Sequence, residues 1–171
     1  PQIIEKIVDE ASVNVWVGKW GSKKTWSFIS AAVCTAGGKQ WLGLKTEKCP
    51  VLIIDEESGD RRLALRIRQA IAGEMITDSP PIHFISNAQI NLLKNPNDQI
   101  LLISEIVNTG ARLVFIDALA DVMAGGDENT VKDTQPVFVA LRRIAKVTGA
   151  AIVVIHHSNR LGDYRGSSAI P

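Results

Sequence analysis

Three runs in this chain, Val51–Ile54, Leu113–Ile116 and Ala151–Ile155, are apolar at every position, and a polar residue follows each. A strand with alternating polarity keeps one face in water, whereas a strand apolar throughout is buried on both faces. These runs therefore predict strands at Val51–Asp55, Leu113–Asp117 and Ala151–His156 in the middle of a sheet. Asn14–Val17 and Ile82–Ile85 read as two further strands. Helical stretches alternate with them, at Thr25–Ala36 and at about 60–72, 97–108 and 130–148. That alternation implies a mostly parallel sheet with right-handed crossovers and helices on both faces, an α/β fold. Such sheets bind ligands at the carboxyl ends of their strands. The chemistry of the chain should collect where these runs end.

Val15–Trp26 reads as a strand, a glycine-containing loop and a helix. Gly18, Gly21, Ser22, Lys23, Lys24 and Thr25 fill the positions of a phosphate-binding loop. One position departs from the pattern, because Lys23 stands where a glycine is the rule. In such a loop backbone N–H groups wrap the phosphates, the lysine reaches the β- and γ-phosphates, and the hydroxyl binds Mg²⁺. The helix that follows Lys23 points its N-terminus at the same anion, which its dipole favours. Lys24 and Thr25 are thus assigned to a nucleoside triphosphate and its metal ion. The plain alternative is a strand–loop–helix with an exposed lysine pair. Trp16, Trp20, Trp26 and Trp41 surround the loop region. Most read as packing residues, with Trp26 counted among the nucleotide contacts and Trp20 placed near them.

The first run ends in Asp55-Glu56-Glu57-Ser58. Alternation puts Asp55 and Glu57 on one side and Glu56 on the other. One of the three is read as a general base that activates water. The competing role is helix capping, with Ser58 or Asp60 capping a helix that starts near Arg61. The second run ends in Asp117, the Walker B pattern, whose carboxylate holds Mg²⁺. A turn-starting aspartate is the alternative, but Ala118-Leu119 continues the apolar run. The last run ends in His156-His157. Neighbouring strand residues face opposite ways, which argues against a metal shared by both. One histidine can face the nucleotide while the other packs. Beyond them, 158–168 reads as a polar loop whose Arg160 and Arg165 suit phosphate contact. Gly125–Asn129 reads as a mobile loop, and Pro136 is expected near the start of the helix after it.

A length of 171 residues fits one domain, and a formal net charge of +1 predicts no nucleic-acid coat. Two cysteines, Cys34 and Cys49, with no zinc spacing, suit a reducing, cytoplasmic compartment. No apolar run reaches membrane-spanning length, which argues against a membrane partner. Pro1 is not a native start, and Pro171 follows Ser-Ser-Ala-Ile with no stop signal. The chain reads as a fragment, one domain over 1–171 that lacks its C-terminal part.

Taken together, GKWGSKKT, VLIIDEES, LVFIDALA, VVIHHSNR and RGSSAI come in the order and spacing of a known group. The chain resembles the RecA-like P-loop ATPase core of hexameric replicative helicases, of the plasmid RepA type and of AAA ATPase domains of that type. The resemblance implies ATP and Mg²⁺ as cofactors, with Lys24 and Thr25 as the Walker A pair. It implies Asp117 as the metal-holding aspartate, Glu57 as the catalytic glutamate and His157 as the polar sensor of the γ-phosphate. It implies that the His157 strand lies between the phosphate-loop strand and the Asp117 strand. It places Arg165 at a subunit interface or toward DNA, in a homo-oligomeric ring, hexameric in the family, around single-stranded DNA. Two other readings stand beside a helicase motor. One is a nucleotide-dependent switch that hydrolyses little because of Lys23. The other is a small-molecule P-loop kinase, against which the chain shows no arginine-rich lid.

Overall fold

The computed structural model describes residues 1–19 and 21–158. Five strands form one sheet: β3 (Val13–Lys19), β4 (Val51–Asp55), β5 (Ile82–Ser86), β6 (Leu113–Asp117) and β7 (Ala151–Ser158). They follow a short antiparallel hairpin of β1 (Gln2–Ile4) and β2 (Val8–Asp9). The order across the sheet is β3-β7-β6-β4-β5, and every pairing in it is parallel. The strand carrying His157 therefore lies between the phosphate-loop strand and the Asp117 strand, as the resemblance implied.

Alternation along the central strands builds a core on each face. Val51, Ile53, Leu113, Phe115, Val153 and Ile155 pack against Phe28, Ile29 and Val33 of α1 (Lys24–Gly37) and against Leu63 and Ile67 of α2 (Asp60–Gly73). Leu52, Ile54, Val114, Ile116, Ile152 and Val154 pack against α3 (Pro96–Thr109) and α4 (Val131–Thr148). Helices cover both faces, the α/β fold expected of the sequence. Ile3, Ile4 and Val8 of the hairpin seal the α1–α2 core. Strands of two and three residues are too short to show a period, which is why the sequence gives no sign of them.

The helix ends correct two expectations. Neither Ser58 nor Asp60 caps α2: its N-cap is Gly59, at φ 77°, with no side-chain cap. Asp60 lies inside the first turn and accepts a hydrogen bond from the Ser86 hydroxyl, while the Ser58 hydroxyl accepts one from Arg66. Pro136 stands inside α4, in its second turn, where it removes a helical N–H. α3 follows the rules, with Asn95 capping Asn97 N at 3.2 Å and Pro96 at the first turn. The segment read as a mobile loop carries hydrogen bonds of its own and to the helix after it. Gly126 N donates to Met123 O at 2.9 Å, and Asp127 N donates to the Asp133 carboxylate at 2.9 Å.

Candidate active site

A cleft of about 200 Å³ opens at the carboxyl ends of the strands. Gly21 and Ser22 line it from the loop after β3, and Lys23, Lys24, Thr25 and Trp26 from the start of α1. Glu57 and Arg66 enter from the β4–α2 side, and His157 from the end of β7. Gly18 is in β3 and does not line the cleft, but it sits against Lys24. A Cβ there would lie 2.8 Å from Ser22 Oγ and 3.0 Å from Lys24 Cδ. Lys24 Nζ donates to the carbonyls of Gly18 and Lys19, the latter at 2.6 Å. Burial pulls the Lys24 ammonium below its usual pKa, opposed by the nearby carboxylates of Asp117 and Glu57. Lys23 occupies the left-handed region at φ 62°, ψ 27° and is the N-cap of α1, without a side-chain cap. A glycine adopts that conformation freely, whereas a lysine is strained there.

The three carboxylates after β4 have separate tasks. Asp55 is buried, and its Oδ1 accepts the N–H groups of Glu57 and Ser58, both at 2.8 Å. It builds the turn. Glu56 points to the other side and accepts the N–H groups of Gln89 at 3.0 Å and Ile90 at 3.3 Å. Glu57 alone reaches the cleft, with about half of its side chain exposed. Its Oε2 lies 3.8 Å from His157 Nε2. Burial, and then the positive charge of Lys24, push the His157 pKa below the usual value, so the imidazole is neutral at neutral pH. His156 faces away and is buried, with Nδ1 3.3 Å from the Glu128 carboxylate. One histidine faces the cleft and its neighbour packs, in line with strand alternation.

Asp117 is 1% exposed. Its Oδ2 lies 3.4 Å from Thr25 Oγ1, while Oδ1 is buried with no hydrogen-bond partner among the described residues. Burial, with Asp55 and Glu57 adding repulsion, pushes its pKa up to about 7. A carboxylate oxygen without a partner beside a hydroxyl is an incomplete set of oxygen ligands, which fits Mg²⁺. Glu57, Asp117 and His157 each offer a ligand atom, and these lie within 4.8 Å of one another.

Arg66 is the cleft residue that the sequence reading passes over. Its guanidinium donates to Ser58 Oγ at 3.0 Å and lies 6.0 Å from the centroid of the Trp26 ring. The signal was its place beside the inward stripe of Leu63 and Ile67, which brings it to the flank of α2. Of the other tryptophans, Trp16 and Trp41 stack at 5.2 Å, while Trp26 is exposed at the cleft. Trp20, Arg160 and Arg165 lie outside the described residues. Among the described residues no helix is long and apolar enough to cross a membrane.

A family model described as AAA domain matches residues 1–163. No curated protein matches the chain. The chain belongs to the AAA domain family, and it is a P-loop ATPase-type, nucleotide-binding domain.

Proposed function

We propose that this AAA domain hydrolyses ATP to ADP and phosphate. One observation carries the reading: Lys24, Thr25, Glu57, Asp117 and His157 come from the ends of four different strands and meet at one site. Phosphoryl transfer needs positioning and charge neutralisation more than covalent chemistry. Lys24 is the ammonium for the β- and γ-phosphates, once it leaves the carbonyls of Gly18 and Lys19. Glu57 holds the attacking water and takes its proton. His157, neutral, hydrogen-bonds near the γ-phosphate. Thr25 and Asp117 would hold Mg²⁺, which when bound offsets charge on the phosphate oxygens. The test is phosphate release by wild-type protein and by Glu57→Gln. Turnover that disappears in the variant while ATP still binds supports the reading, and wild-type protein that binds no ATP defeats it.

We further propose that the ATPase drives a homo-oligomeric ring acting on single-stranded DNA, with Arg165 at its interface. The order of motifs supports this. Oligomer size with and without ATP, and ATPase activity with and without single-stranded DNA, test it. A second reading is a nucleotide switch with little turnover, favoured by the left-handed Lys23 at the phosphate loop. ATP binding without phosphate release would select it.

A further inference from the structure

We propose that Arg66 is the cation that stabilises the leaving and transferring phosphates from within the same chain. The proposal rests on the ATPase reading above. Among the described residues, Lys23, Lys24 and Arg66 put three cationic side chains on a cleft of about 200 Å³, and Glu57 is the single carboxylate lining it. That excess suits a polyphosphate. Arg61, Arg62 and Arg68 of the same helix are exposed and do not line the cleft, so Arg66 is distinguished by position.

Its present partners are neutral. A serine hydroxyl accepts one N–H, and the Trp26 ring faces the guanidinium. Among the described residues no carboxylate lies within ion-pair distance of it. A guanidinium held only by a hydroxyl and a ring edge or face gains when it exchanges them for phosphate oxygens, which it can grip with two parallel N–H groups. The cation–π contact it gives up is weak at an exposed site.

The helix brings Arg66 to the cleft beside the residues assigned to the phosphates. α2 begins at Asp60, directly after the turn that Asp55 builds and Glu57 leaves. Arg66 lies further along that helix, hydrogen-bonded to Ser58 beside Glu57 in the chain and set over Trp26 beside Thr25, so it joins the cleft where the Glu57 turn and the start of α1 meet. A phosphate between Lys24 and Glu57 is the one being transferred. In the step, the water oxygen bonds to the γ-phosphorus and its proton passes to Glu57. The bond from the γ-phosphorus to the bridging oxygen breaks, and ADP leaves with that electron pair. Arg66 offsets the charge that spreads over these oxygens, a role worth roughly 10³-fold or more in kcat where an arginine performs it.

The test uses Arg66→Ala and Arg66→Lys, with ATP and ADP as probes. Arg66→Ala should keep ADP affinity within roughly threefold, which also shows that it is folded, and lose kcat by about 10³-fold. Arg66→Lys should recover part of that loss, because it restores charge without the planar fork. Trp26 fluorescence gives a second readout: ATP should change it more than ADP, and the difference should vanish in Trp26→Phe and in Arg66→Ala. Mixed Arg66→Ala and Glu57→Gln chains should stay inactive, since a site completed in cis is never whole in either. Wild-type turnover in Arg66→Ala, equal fluorescence changes with ATP and ADP, or activity regained on mixing would each overturn the proposal while leaving the ATPase reading intact. Wild-type protein that binds no ATP would remove both.

Discussion

Asp55 and Asp117 are cross-strand partners on β4 and β6, both buried, on the face covered by α1 and α2. Asp55 Oδ1 is engaged by two backbone N–H groups, while Asp117 Oδ1 has no partner among the described residues. The two strand ends thus divide the work, one carboxylate shaping the turn and the other left open for a cation.

Asp117 should make stability fall as pH rises. Its pKa is raised to about 7 from the ordinary aspartate value of 3.8, so the folded chain holds a proton that the unfolded chain has lost. The stabilisation is complete below the unfolded value and is lost as pH climbs through about 7. In metal-free buffer, Asp117→Asn should melt above wild type at pH 8, with the gap closing toward pH 4, at roughly 2–4 °C for each kcal/mol recovered. Adding Mg²⁺ should raise the wild-type Tm and leave the variant unmoved. Parallel melting curves across this range would contradict the open-ligand account of Asp117.

Lys24→Ala should abolish nucleotide binding, read with a fluorescent ATP analogue. The ammonium now resting on the Gly18 and Lys19 carbonyls is the one that the phosphates would take over. Unchanged affinity would sink the phosphate-loop reading.

Glu57→Gln and Glu56→Gln should part company. The first should keep ATP binding and lose turnover by roughly 100-fold or more. The second touches only the backbone at Gln89 and Ile90, so it should lower stability by about 1 kcal/mol and spare turnover. Steady-state kinetics and melting curves on both variants decide it, and a dead Glu56→Gln enzyme would reverse the assignment.

Lys23→Gly should stabilise the chain by about 1 kcal/mol, since φ 62° is left-handed and glycine has no Cβ to strain there. ATP affinity should rise with it. A fall in affinity would mean that the extra positive charge matters more than the strain.

The strands and helices were legible because the signals were long. Val51–Asp55 and Leu113–Asp117 coincide with β4 and β6 to the residue, since unbroken apolar runs end abruptly at a carboxylate. β7 runs two residues past the expected end at His156, because polar residues can still ladder with β3: Gly18 pairs with His157. The choice among Asp55, Glu56 and Glu57 needed coordinates. Alternation separates Glu56 from the other two, but only the N–H groups of Glu57 and Ser58 on Asp55 show which carboxylate is already occupied. Arg66 was hidden for a different reason: four arginines share α2, and which one meets Trp26 depends on the roll of the helix over its core. Capping residues failed at Gly59, where a positive φ served in place of a side chain.

Two strand ends carry paired residues that look in opposite directions. Glu57 and His157 face the cleft, while Glu56 holds Gln89 and Ile90, and His156 meets Glu128. Asn91 joins those two outer segments through the Ala124 carbonyl at 2.9 Å. The outer segments 87–95 and 121–130 are thus tied to each other and held by the residues that directly precede Glu57 and His157 in the chain, so the far side of each strand end is anchored where the near side faces the cleft.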